Sequence, residues 1–234
     1  MADPPKAAER LLRALLPPAS VDAMTGDLLE EYRATRVPAA GRRRADFWYA
    51  RQVAGVFLRA YGWFVVPLLV TVVVRDLFNT FRDASGASYL DGLPRLALVP
   101  VSPGVAVAVL LATAAYGTWR TERWAGGVVA SLGLFVVTWL FMAVWWNATL
   151  YPFAQAQQTN PYWIQAWQWS THRAHPPTLA GFNPDTPGET FLRWMFWDNV
   201  GALFFAGLVM GAVSIVCGVV GSAMGWTCRR LVAR

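Results

Sequence analysis

Four long apolar runs set the pattern of this chain. The first extends from Val53 to Val74 and is broken only by Arg59. The second runs from Leu96 to Trp119, the third from Trp124 to Tyr151, and the fourth ends at Trp226. A helix needs roughly 20 apolar residues to cross a bilayer. The pattern therefore predicts an all-α membrane protein with four transmembrane helices, at about 53–75, 96–119, 124–151 and 198–226. Arg59 lies near enough to one end of its run to reach the interface by snorkelling. Ser102-Pro103 has the form of an N-cap and first helical position, so the regular part of the second span is expected to begin there. Thr186-Pro187-Gly188-Glu189 combines capping-box spacing with a proline start. It predicts a helix that begins there, follows the interface, and then crosses as the fourth span.

Residues 1–52 are polar by comparison and read as a small N-terminal helical head, with residues 53–234 forming the bundle. Lys6 to Leu16 sets Leu11, Leu12, Leu15 and Leu16 against Glu9, Arg10 and Arg13, the pattern of a one-faced helix. Pro17 and Pro18 end it. Ser20 is a suitable N-cap for a second helix running to about Arg36. Val21, Met24, Leu28 and Tyr32 fall on one stripe of that helix, and Asp27, Glu30 and Glu31 share the edge beside it. The turn from Pro38 to Gly41 stops the second helix, and a third starts near Arg42 and continues into the first span.

Composition supports the membrane reading. Hydrophobic residues make up 56% and charged residues 15%, with a mean hydropathy of +0.34; soluble domains are about a quarter charged. The 13 tryptophans suit the membrane–water interface. A net charge of +6 and a pI of 9.8 leave nucleic acid open as a partner. The basic residues, however, cluster beside apolar runs, which fits anionic lipid headgroups, and no direct nucleic-acid binding is expected. Fifteen of the 20 Lys and Arg fall on the side of the bilayer that holds both termini and the loop near Thr121. This predicts a multi-pass protein of the bacterial inner membrane with both termini cytoplasmic. The start MADPPKAAER has no apolar stretch behind a basic one, so the first span is expected to serve as the targeting signal. Cys217 and Cys228 alone offer neither a disulfide framework nor a metal knuckle.

Candidate chemistry is sparse. The outer segment 152–197 is rich in aromatics: Tyr162, Trp163, Trp167 and Trp169 could form a binding surface for lipophilic molecules. An aromatic belt helix at the headgroups is the plainer reading. His172 and His175 share a helical face and, with Asp185 or Glu189, offer a weak candidate for zinc, which usually needs three or four protein ligands. The fourth span carries small residues at coiled-coil spacing: Gly207, Gly211, Ser214, Gly218, Gly221 and Gly225. Such a stripe lets membrane helices approach closely. Packing within the bundle is expected, with Gly126, Ala130 and Gly133 as counterface, and a homo-oligomer seam is the alternative. Asn147 is the polar residue inside a span, while Arg75, Asp76, Asp198 and Asn199 lie at span ends. No ionisable group is expected at mid-membrane depth, which argues against an ion or substrate pathway. No catalytic constellation is apparent, so no enzyme and no cofactor are expected.

The polar head adds a resemblance. Residues 11–36, LLRALLPPASVDAMTGDLLEEYRATR, followed by GRRRADFWYARQVAG, resemble the permease prefix domain found before macrolide-exporter-type ABC permeases of bacteria. They are also similar to the HAAS module, a helical signalling unit encoded beside PadR-type transcription regulators. The matching features are Leu15-Leu16 before Pro17, Gly26-Asp27-Leu28, Glu30-Glu31-Tyr32 and Trp48-Tyr49-Ala50-Arg51-Gln52. The resemblance covers about the first quarter of the chain and implies a non-enzymatic signalling or regulatory accessory protein, sensing the envelope and coupled to a PadR-type regulator. Asp27, Glu30 and Glu31 are the expected docking edge. The alternative it implies is an accessory or reduced permease subunit of an ABC exporter. The large extracytoplasmic domain of those permeases has no counterpart here, which speaks against transport.

Overall fold

The computed structural model describes residues 3–84, 93–158, 167–168 and 191–232. Apart from short breaks between elements these residues are helical, and no strand occurs among them. The elements are α1 (Lys6–Leu15), α2 (Pro18–Glu31), a π turn (Tyr32–Arg36), α3 (Val37–Ala40), α4 (Arg42–Ala84), α5 (Leu93–Thr121), α6 (Trp124–Gln158) and α7 (Phe191–Val232). Three of these helices are long and apolar enough to cross a membrane, over Arg42–Val74, Trp124–Ala148 and Arg193–Val232.

The short helices end where local chemistry requires. Leu16 is extended at φ −93°, ψ 142°, because a residue before proline is pushed out of the helical region. Pro18 then occupies the first turn of α2, with Pro17 as N-cap. The expected N-cap Ser20 is instead inside the helix, its hydroxyl donating to the Pro17 carbonyl at 3.2 Å. The ring of Pro18 presets the helical φ, so the helix starts three residues early, capped at Pro17 instead of Ser20. The N–H of Val37 reaches back five residues to the Tyr32 carbonyl. This π turn precedes Pro38, which has no N–H to donate to Ala34. Gly41, at φ +78°, makes the left-handed break before α4, as its sequence position suggested.

The chain divides into two compact units, each drawing on all four long helices: Met1–Pro67 with Ala106–Val137 and Met210–Arg234, and Leu68–Val105 with Thr138–Val209. In the first unit, Leu12, Leu15, Leu16 and Val21 are buried with Tyr32, Ala45 and Tyr49. Tyr32 meets the Tyr49 ring edge-on at 5.9 Å. The α2 stripe differs from expectation. Val21, Thr25 and Tyr32 are buried, whereas Met24 is 36% exposed. The Thr25 hydroxyl is satisfied by the Val21 carbonyl, so a threonine occupies the inward position at no polar cost.

Along α4, Ala45, Tyr49, Val53, Phe57, Tyr61 and Val65 are buried at every fourth residue, one of the ridge directions of helix packing. Its other faces expose Trp63 and Val66, as α6 and α7 expose Leu140, Val144, Phe204, Phe205 and Leu208. Apolar side chains presented outward on this scale suit a hydrocarbon solvent rather than water. α5 runs unbroken from Leu93, so Ser102-Pro103 does not begin it. In the second unit, Trp139 Nε1 donates to the Leu203 carbonyl at 3.0 Å. Gly207 lies beside the same indole.

Candidate functional site

The two-residue turn between α5 and α6, Glu122-Arg123, lies where the N-terminal helices and three long helices meet. Thr121 closes α5 by donating its hydroxyl to the Gly117 carbonyl at 2.7 Å. Glu122 follows at φ +60°, an uncommon conformation for a residue with a side chain. Its carboxylate is held by Arg229 of α7 at 2.6 Å. Arg123 points the other way, donating from Nη1 to the Arg13 carbonyl of α1 at 3.2 Å. That carbonyl belongs to the last turn of α1, where backbone oxygens lack helical partners and the helix dipole favours a cation. Gly126 completes the contact: a Cβ there would lie 3.0 Å from the Ala14 carbonyl and 2.8 Å from Thr121 Cβ.

The next residue, Gly127, is enclosed by Thr118 Oγ1 and the Ala114 carbonyl of α5 and by Ser222 Oγ of α7. Ser222 donates to the Trp124 carbonyl at 3.3 Å, and Ser131 donates to the Ser214 carbonyl at 3.1 Å. Small hydroxyl residues thus join α5, α6 and α7 at close range, the arrangement that holds helices together in lipid. On the α4 side, Tyr116 packs against Tyr61 at 6.0 Å and Phe64 at 5.6 Å. The Arg120 guanidinium lies 6.0 Å from the Tyr61 ring.

No family model, curated protein or solved structure matches the chain.

The structure places the sequence-derived candidates unevenly. Gly211, Gly218, Gly221 and Gly225 all pack within the first unit, against Phe135, Val128, Leu111 and Ala115 respectively, and Ser214 is fully buried there. The expected counterface is not what they meet. Gly126 faces α1, Gly133 faces Phe57 of α4, and Ala130 faces Gly117 of α5. Each small residue of α6 therefore admits a different neighbour, because successive positions on a helix point in different directions. Trp167 is fully buried, its ring edge-on to Trp194 at 5.3 Å. Tyr162, Trp163, Trp169, His172, His175, Asp185 and Glu189 lie outside the described residues. Among the described residues no cluster of His, Cys, Asp and Glu could hold a metal ion.

The acidic edge of α2 is divided. Asp27 and Glu30 are exposed, whereas Glu31 is paired with Arg36 at 2.6 Å. The Arg36 guanidinium also lies 4.8 Å from the Trp48 ring, so Glu31 belongs to the brace between α2 and α4. Beside it, the Tyr32 hydroxyl donates to Asp46 Oδ1 at 2.6 Å. Burial, and then this bond to a carboxylate, push the Tyr32 phenol up to about 12. The Arg33 guanidinium, bonded to Asp3, holds that carboxyl below its usual range. Sequence reasoning had singled out none of Glu122, Arg123 and Gly127. Their one signal is a charged Glu-Arg pair placed between two apolar runs with two glycines behind it.

Proposed function

We propose that this chain is a non-enzymatic regulatory accessory protein of the bacterial inner membrane. Four spans carry a small cytoplasmic head, residues 1–52, that is coupled to the bundle and offers a docking face to a soluble partner. The observation that carries the reading is the Arg123–Arg13 contact with Gly126 against Ala14. Through it the end of α1 rests on the turn joining two long helices, and through Glu122 the same turn is tied to α7. A movement of those helices would displace α1 directly. The docking face is Asp27 and Glu30, exposed on the side of α2 away from its buried stripe and suited to a basic partner surface. The resemblance of residues 11–55 to permease prefix and HAAS modules makes a PadR-type regulator the expected partner.

The test is charge reversal, Asp27→Lys with Glu30→Lys, leaving Glu31 in its brace. Both positions are exposed, where substitutions usually cost within about ±0.5 kcal/mol, so the fold should persist. Capture of a regulator encoded beside this chain should fall. Unchanged capture would move the docking face elsewhere, and capture of an ATPase subunit instead would favour the exporter reading.

A further inference from the structure

The cytoplasmic end of α4 carries an exposed strip with no partner in the fold. Arg43, Arg44, Phe47, Arg51, Ala54 and Leu58 fall within an arc of about 100° of the helix, and all six are exposed. Phe47 is 73% exposed and Leu58 49%. Tyr49 and Val53, on the opposite side, are buried. Among the described residues, none of the three arginines makes an ion pair. The nearby carboxylate of Asp46 accepts from the Tyr32 hydroxyl instead. The strip is thus purely cationic and aromatic at its outer end and grades into aliphatic surface.

Length fixes what can cover it. α4 has 43 residues, about 65 Å of helix at 1.5 Å per residue, roughly twice the hydrocarbon thickness of a bilayer. Its apolar run begins at Val53, so Arg51 stands about 3 Å and Phe47 about 9 Å beyond that point along the axis. The headgroup layer is about 5–7 Å deep, so Arg51 stands within it, Phe47 at its outer edge, and Arg43 and Arg44 above it, where their long side chains can reach down to the phosphates. Arginines bracketing an aromatic ring at headgroup level match phosphate oxygens and the glycerol region together. A soluble acidic protein would match the arginines, but continuity of the strip with the apolar run at Leu58 matches a lipid.

We propose that Arg43, Arg44, Phe47 and Arg51 form a binding strip for anionic phospholipid headgroups, which holds the start of α4, and with it the head, against the membrane surface. The proposal rests on the reading that 53–74 crosses a membrane. It adds that the charge of the surrounding lipid sets the position of the head.

The experiment uses the full chain in bilayer discs of phosphatidylcholine, alone or mixed with phosphatidylglycerol. Phe47→Cys, in a background with Cys217→Ala and Cys228→Ser, carries an environment-sensitive fluorophore. Emission should shift to the blue when phosphatidylglycerol is present, and the shift should vanish in Arg43→Gln/Arg44→Gln/Arg51→Gln. In parallel, mass spectrometry of the wild-type chain released from mixed discs should show retained phosphatidylglycerol. The triple variant should lower it by about tenfold or more, and Lys6→Gln/Arg10→Gln should not. Equal emission in both discs, or a shift that survives the triple variant, overturns the strip. A shift produced by inorganic phosphate in phosphatidylcholine discs overturns the lipid as ligand. Disulfide-linked pairs of the unlabelled Phe47→Cys chain would assign the strip to a second copy. Failure to enter discs of either composition contradicts the membrane reading itself.

Discussion

Arg123 Nη1 donates to the carbonyl oxygen of Arg13 across 3.2 Å, joining the turn between α5 and α6 to the last turn of α1. The bond is exposed, so its expected contribution falls below the roughly 1.5–3 kcal/mol usual for a charged donor, to about 1 kcal/mol. Arg123→Ala should lower thermal stability in detergent by that order. Arg123→Lys should recover part of it, since a lysine keeps the charge at the helix end but not the guanidinium geometry. Equal losses in both variants would show that charge contributes nothing there.

The glycines should separate by sign. Gly127→Ala would drive a methyl group into Thr118, Ser222 and the Ala114 carbonyl, an overpacking that costs about 1–3 kcal/mol. A Cβ at Gly62 meets nothing within 4 Å, so Gly62→Ala should be neutral or stabilising by up to about 1 kcal/mol through helix propensity. Gly218→Leu, against Val128, should be clearly worse than Ala212→Leu on the exposed face. Thermal unfolding in one detergent checks all four, and Gly127→Ala as stable as wild type contradicts the packing.

Tyr32 gives the N-terminal helices an alkaline limit. Its folded pKa, about 12, lies above the ordinary value of 10. Its contribution to stability is therefore complete below pH 10 and is lost as pH rises toward 12. Ultraviolet titration of wild type against Tyr32→Phe should show one tyrosinate forming late, near pH 12. Asp3 works at the other end: Arg33 lowers its pKa from 3.8. Its contribution is present above that value and fades as pH falls through the lowered one. A difference titration centred near pH 10 would contradict the burial of Tyr32 together with its bond to Asp46.

The orientation has a direct check. Single cysteines at Ser88 and Thr159, without the native cysteines, should react with an impermeant reagent applied from outside the inner membrane. Thr121, between the second and third runs, is fully buried, so the inner probe belongs at exposed Glu122, which should react only after the membrane is opened. Reaction at 122 alone would invert the topology.

Much of this architecture was legible because lipid and chain geometry leave few choices. The apolar runs gave the long helices, Gly41 gave the break before α4, and the glycine stripe announced close packing along α7. The errors arose where tertiary contact or a stronger local rule decided. Proline at the first turn outranked Ser20 as the start of α2. Thr25, self-satisfied through the Val21 carbonyl, took the inward place assigned to Met24. The stripe's counterface was missed because spacing along one helix states that a neighbour is near, not which neighbour. Nothing in the residues Thr121-Glu122-Arg123 foretells the left-handed turn that aims Glu122 at α7 and Arg123 at α1.

The coupling of the N-terminal helices to the long ones is tested most directly by hydrogen exchange on the full chain in bilayer discs, comparing wild type with Gly126→Val. A valine there meets the Ala14 carbonyl and the Thr121 side chain and should lift α1 off the turn. Amides of α1 and α2 should then exchange at least about tenfold faster, equivalent to about 1.4 kcal/mol of lost protection, while those of α6 from Val128 to Leu134 stay protected. Unchanged exchange in α1 and α2 would mean that the turn does not hold them, and the regulatory reading would lose its physical link.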